Sequence, residues 1–319
     1  MIERKTVSVC VPTCNRPGLL REAIESCLAQ TRQPNRIVVG DDSTNEDSAK
    51  MIAGLAHTTS IPIDYRRNPA RLGQNGNVNS LFDRTTTSHL ILLHDDDVLL
   101  ANAVEDLLSC WDEIPDLTAA YGKQYVMSHN GDIDLNASAA LNRSYFRTSE
   151  RAGLQKNGWE IGLLQQFPND GFMIVTSAAR ATRWRGEKDV GSGGDFDFGL
   201  RLGLTHRGFF FLDRFTMKYR VTETGSISGS KNDDAALHSY LILEELKLAL
   251  PGEAVRQAEA ARARKMAELA PRALMQAIRH GERGRAWRIY SSRAHGWRMR
   301  ASFGGMRRLL LLLLTLVKR

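Results

Sequence analysis

Residues Leu92 to Leu100 read LLHDDDVLL, three consecutive aspartates directly after an apolar run. Adjacent carboxylates repel one another, and acidic side chains are rarely buried unless paired or bound to a cation. Such a block needs either open water or a metal ion. The run before it, HLILLHD (His89 to Asp95), is short and apolar, so the acids fall at the end of a buried strand.

Working outward, TVSVCVPT (Thr6 to Thr13) is a β-branched run. LLREAIESCLAQ (Leu19 to Gln30) places Leu20, Ala23, Ile24, Cys27 and Leu28 at helical spacing, and RIVVGDD (Arg36 to Asp42) is a second short strand closed by acids. Strand, helix and strand within about 35 residues make a βαβ unit, the building block of parallel sheets with helices on both faces. A strand at IDYRR (Ile63 to Arg67), a helix over NGNVNSLFDR and the strand HLILLHD continue the alternation. The fold class is therefore α/β, a doubly wound, mostly parallel sheet. Further on, TAAYGKQYVM reads as a strand, HNGD as a turn followed by polar irregular sequence, and NGWEIGLLQQF as a helix. FMIVTS reads as a strand, a helix starts near Asp195, and separate strands follow from Phe209 and at TMKYRV. From Ala235 helices dominate, which divides the chain into a domain over 1–232 and a helical extension over 233–319.

The chain has 319 residues, 42% hydrophobic and 25% charged, which excludes a disordered or fibrous protein. Its net charge of +7 is unevenly spread: residues 253–319 hold 16 Lys/Arg against 4 Asp/Glu, leaving residues 1–252 at 27 against 32. The basic part points to a polyanionic surface, phospholipid or nucleic acid. Cys10, Cys14, Cys27 and Cys110 show neither a Cys-x-x-Cys pair nor zinc spacing, which fits a reduced, cytoplasmic protein. MIERKTVSV enters a strand at once and leaves no room for a signal peptide. The longest apolar run, Leu309 to Val317, is about half of what a membrane-spanning helix requires, so it can lie on a bilayer but not cross it.

In open parallel sheets ligands sit at the carboxyl ends of the strands. That rule selects PTCNR, DDST and HDDD. Neither a dinucleotide fingerprint nor a P-loop is present. For HDDD the plain alternative is helix capping, but three acids in succession suit a hard divalent cation better. Asp41 and Asp42 fit turn chemistry or a carboxylate holding a base or ribose. The amides of RLGQNGNVNSL, with Arg71, fit a helix cap or a nucleotide contact. Asp195 and Asp197 in GGDFDFGLRL fit capping or, for one of them, a general base. His94 belongs to no ligand-spacing pattern, so a histidine-based metal site is not expected.

Taken together, VSVCVPTCNRPGLLREAIESCLAQT, IVVGDDST, LLHDDDVLL and GGDFDFGLRL resemble glycosyltransferase family 2 proteins of the GT-A fold, over about residues 5 to 230. The resemblance implies an inverting transferase that uses a nucleotide-sugar donor, UDP-sugar favoured, with Mg²⁺ or Mn²⁺. It implies that Pro12, Thr13 and Asn15 line the base, that Asp41 holds the ring with Asp42 beside it, and that Arg71 and Asn75 contact the nucleotide. Asp95 falls to the ribose, Asp96 and Asp97 to the metal, and Asp195 to the catalytic base. His94 stands where many members have the first Asp, which leaves open which pair forms the D-x-D, and Gly194 replaces the usual Glu. Thr222 stands where a His is common, so metal or diphosphate contacts from that loop are expected to be weaker or supplied by Arg220 and Ser226.

The resemblance implies transfer to a hydroxyl acceptor in glycan synthesis; a membrane-bound C-terminal segment would make that acceptor a lipid-linked or envelope glycan, and a homo-oligomer is compatible with this. The C-terminal segment mixes Arg with Trp, Tyr and Leu, as interfacial helices do, which would place the protein peripherally at the inner face of the cytoplasmic membrane. An apolar stripe packed on protein is the equal alternative. Rival functions are a sugar nucleotidyltransferase, an inactive transferase-like binding module, and a nucleic-acid binder, which would leave the acidic strand ends without purpose.

Overall fold

The computed structural model describes residues 5–221 and 234–317. Of these, 5–187 and 198–221 form one compact unit, and 188–197 and 234–317 a second.

The chain begins with β1 (Val7–Thr13), α1 (Pro17–Leu28), β2 (Arg36–Asp41), α2 (Asp47–Ala56), β3 (Ile63–Arg67), α3 (Gly73–Arg84) and β4 (His89–Leu92). It continues through β5 (Val98–Leu99), α4 (Ala103–Glu113), β6 (Ala119–Met127), β7 (Ile133–Asp134), α5 (Leu135–Ser144), β8 (Gly153–Gln155), α6 (Gly158–Leu163), β9 (Met173–Val175) and α7 (Thr176–Thr182). Then come α8 (Glu187–Val190), α9 (Gly194–Thr205) and β10 (Phe209–Arg220). The second unit is helical, with α10 (Ala235–Glu245), α11 (Gly252–Arg279), α12 (Arg283–Ser291), α13 (Trp297–Ala301) and α14 (Phe303–Val317).

The sheet runs β3-β2-β1-β4-β9-β6-β10-β5. Its first four strands are all parallel, as the βαβ alternation requires. Its second half is mixed: β9 lies antiparallel between β4 and β6, and β10 is parallel to β6 but antiparallel to β5. Period-two alternation sends Val7, Val9, Val11, Ile37, Val39 and Ile91 to one face, where they pack with α1, α2 and α4. Cys10, Val38, Leu90 and Leu92 point to the other and meet Val78, Leu81 and Phe82 of α3 and Phe198 and Leu202 of α9. The three thiols in these cores, Cys10, Cys27 and Cys110, are pushed up to about 12 by burial, which makes them inert packing groups.

Two stretches differ from the sequence expectation. The polar segment after HNGD is not irregular but forms β7 and α5. Asp134 caps α5 by accepting a hydrogen bond from the Ala137 amide at 2.8 Å. This helix docks through polar side chains: Asn142 bonds both backbone groups of Gln124, and Ser138 Oγ accepts from the Val126 amide. The strands expected from Phe209 and at TMKYRV are one continuous strand, β10. The polar Asp213–Arg214 interruption is absorbed as register shifts against β6 rather than as a loop.

Candidate functional site

Strand direction decides which side chains meet. β1, β2 and β4 all end at one edge, which delivers Thr13, Asp41 and the HDDD turn to it. Because β9 is antiparallel to β4, its start lies beside the end of β4, and the Gly171 amide donates to Leu92 O at 2.7 Å. That contact brings Asp170 to the turn. β10 ends beside β5, so Arg220 arrives there as well.

The three aspartates do not open a helix. They lie in a turn closed by the Asp97 amide donating to His94 O at 3.2 Å, and β5 follows directly. The capping explanation therefore fails, and the carboxylates are held by other means. Thr13 Oγ1 donates to Asp95 Oδ2 at 2.6 Å. Arg16 Nη1 lies 3.4 Å from Asp95 Oδ1 and 3.1 Å from Asp96 Oδ2. Burial nevertheless raises Asp95 to about 6, against the pull of Thr13 and Arg16.

Asp97 is fully buried and accepts the Arg220 amide at Oδ1, 2.7 Å away. Its Oδ2 has no donor, and neither has Oδ1 of the buried Asp170, whose Oδ2 accepts the His94 amide at 3.0 Å. The two carboxyls lie within hydrogen-bonding reach of each other, and burial together with this like charge drives Asp97 well above the ordinary carboxylate range. A buried acid pair with unmet acceptor atoms can share a proton or receive a cation.

His94, Asp96 and Asp97 each offer a ligand atom within 4.8 Å of the others, and His94 Nε2 is a further buried atom without a partner. His94 therefore lies within ligand distance of the acids although no ligand-spacing pattern marks it. A residue beside the acids in a turn reaches the same point without any i, i+4 spacing. Two carboxylates and an imidazole, with Asp170 behind them, fit a divalent cation of the Mn²⁺ type, and carboxylates alone would also serve Mg²⁺.

Arg220 fastens this edge. Besides its amide contact, Nε donates to Asp96 O at 2.8 Å and Nη1 to His129 O at 2.6 Å, while Nη2 bonds Glu22. Thr222 and Ser226 lie outside the described residues.

Asp41 and Asp42 are both buried and hold the neighbouring loops. Asp41 accepts from the Ser43 amide and the Tyr65 hydroxyl, each at 2.7 Å, and Asp42 from Asn68 Nδ2 and the Leu72 amide. The turn chemistry is thus real, and each carboxylate keeps acceptor lone pairs for a ligand. Asn15 adopts φ 57°, and its Oδ1 accepts from the Thr44 amide while its own amide donates to Ser43 Oγ. Pro12 is buried in β1 opposite Gly40. Arg71 is exposed and donates to Cys14 Sγ at 3.2 Å, whereas the buried Asn75 amide donates to Arg185 O at 2.8 Å. In the second unit, Asp195 is partly exposed in the first turn of α9, and its Oδ1 accepts from the Phe196 amide.

The residues that the sequence reading passed over are Arg16 and Asp170. Arg16 sits inside the PTCNR segment. Asp170 belongs to PNDG, which reads as an ordinary turn.

The family model for glycosyl transferase family 2 matches residues 8–170. A Campylobacter jejuni protein named GalNAc(5)-diNAcBac-PP-undecaprenol beta-1,3-glucosyltransferase is 32% identical over 246 residues, covering 75% of this chain and 73% of its own. Among solved structures, residues 1–349 of S. aureus TarS in complex with UDP-GlcNAc superpose with a TM-score of 0.62 at 16% identity, covering 97% of this chain and 81% of that one. A Pyrobaculum calidifontis mannosyltransferase in complex with GDP-Man and Mn²⁺ gives 0.58 at 17% identity, covering 99% and 87%. The chain spans 48% of a longer TarS structure. The architecture is thus the GT-A glycosyltransferase fold. The chain belongs to glycosyltransferase family 2.

Proposed function

We propose that this protein transfers a sugar from a nucleotide-diphosphate donor, most simply a UDP-sugar, to a hydroxyl of a lipid-linked or envelope glycan with inversion at the anomeric carbon. The observation that carries the reading is the acidic edge: buried carboxylates with unmet acceptor atoms, Asp97 just after β4 and Asp170 just before β9. The Campylobacter relative's name supports a polyprenyl-linked acceptor, and the two nucleotide-sugar complexes support the donor class.

In this reading Pro12, Thr13, Asn15 and Asp41 line the base, Asp42 stands beside Asp41, and Asp95 holds the ribose. Arg71 and Asn75 are the remaining nucleotide contacts. Asp96 and Asp97, with His94 beside them, hold the divalent ion, Mg²⁺ or Mn²⁺. When bound, that ion offsets the charge of the departing nucleoside diphosphate. Asp195 accepts the proton of the acceptor hydroxyl as its oxygen bonds to the anomeric carbon and the carbon–phosphate oxygen bond breaks. An α-linked donor then gives a β-glycoside. The test is nucleotide release from UDP-glucose, UDP-GlcNAc and GDP-mannose in the presence of a polyprenyl-diphosphate glycan. Asp195→Asn should abolish turnover and spare donor binding; a variant with wild-type turnover removes Asp195 as the base.

A further inference from the structure

The second unit carries a surface that sugar transfer does not require. Among the described residues no helix is long and apolar enough to cross a membrane. The 15 residues of α14 extend about 22 Å, short of the roughly 30 Å hydrocarbon core. Leu312 of α14 is fully buried and Gly305 packs against the Met299 and Arg300 carbonyls of α13, so one side of the helix is fastened to its own unit. The other side is not covered. Phe303, Met306, Leu310, Leu313 and Leu314 are all exposed, Phe303 by 82%. At about 100° per residue these five positions fall within an arc of about 100°, opposite Leu312. A large apolar stripe facing water on a folded domain marks an interaction surface.

The charge around the stripe selects the partner. Residues 283–319 contain ten Lys/Arg and no Asp/Glu. Arg298, stacked on the exposed ring of Trp297, and Arg307 are exposed, and Arg300 is half-buried. Among the described residues no carboxylate lies within ion-pair distance of these three. A second copy packed isologously on this face would bring two uncompensated basic surfaces together, which opposes self-association. A nucleic acid would use the arginines but would leave the leucines in water. An anionic bilayer satisfies both features, since it takes the apolar side chains below its headgroups and pairs the arginines with phosphate.

We propose that the outward face of α14, with Trp297 and the arginines around it, docks the protein on an anionic phospholipid surface. The inference rests on exposure and charge in the second unit and is independent of the donor chemistry. The test uses the full chain and co-sedimentation with vesicles of phosphatidylcholine alone or mixed with phosphatidylglycerol. Wild type should bind only the mixed vesicles, and added salt should weaken binding. The double variant Leu310→Ser, Leu314→Ser should lower the partition coefficient about tenfold per leucine, with thermal melting and nucleotide binding unchanged. If that variant fails to fold, Phe303→Ser, at a more exposed position, should give about a tenfold loss by itself. Undiminished binding of the folded variants, or absence of wild-type binding to the mixed vesicles, overturns the proposal. So does a wild-type dimer in light scattering that the leucine variant disperses without lipid, which would assign the face to a second copy.

Discussion

Replacing Asp97 with Asn should make the metal-free protein more stable while removing its affinity for a divalent ion. In the wild type, Asp97 Oδ1 accepts the Arg220 amide, and its other oxygen faces the Asp170 carboxyl across a contact that holds a donor only while one of the two acids keeps its proton. An asparagine keeps the first bond and turns its Nδ2 toward Asp170, converting an acceptor–acceptor contact into a hydrogen bond to a carboxylate. Such a bond is worth about 1.5–3 kcal/mol, and the cost of holding two acids together also disappears. Discounting for imperfect geometry, the gain at neutral pH is about 1–3 kcal/mol, or on the order of 3 °C per kcal/mol for a domain of this size. The sign with pH follows from the raised Asp97. Its penalty is complete above the folded value and is lost as pH falls towards the ordinary one, so the variant's advantage shrinks on acidification. Urea denaturation in EDTA across pH gives the stability, and Mn²⁺ calorimetry with UDP gives the affinity. A destabilised variant that still binds Mn²⁺ like wild type would refute the reasoning.

Three further outcomes follow from the same geometry. Asp95, raised to about 6, makes the metal-free fold less stable as pH rises from about 4 through 6; relative to Asp95→Asn, wild type should lose up to about 3 kcal/mol, and a pH-independent difference in urea midpoints would contradict this. Asn142→Ala frees both backbone groups of Gln124 and should cost about 2 kcal/mol, with faster amide exchange at Gln124. In Gly40→Ala the new Cβ would clash with Asn77 Oδ1, costing about 1–3 kcal/mol, and Asn77→Ala in the same chain should recover part of that loss in denaturation midpoints.

Apolar periodicity made the first four strands and α1 legible, because their side chains alternate between two buried faces. The same signal is blind to α5, whose buried residues are Ser138 and Asn142 and whose docking is hydrogen bonding to β6. It also divided β10, because a bulge and a loop both interrupt the pattern with polar residues. At the site, the acids of one strand end could be read from local sequence. Asp170 could not, because it reaches the HDDD turn only through the antiparallel placement of β9. Arg16 was hidden for a similar reason: nothing in its own segment shows that it faces Asp95 and Asp96, about 80 residues on.

The most direct measurement of the central claim is isothermal calorimetry with UDP, GDP and dTDP, each with and without Mn²⁺, on wild type and Asp96→Ala. One nucleotide should bind wild type in a metal-dependent way, and the variant should lose this dependence. Metal-independent binding equal in both proteins, or no binding of any nucleotide, would contradict it.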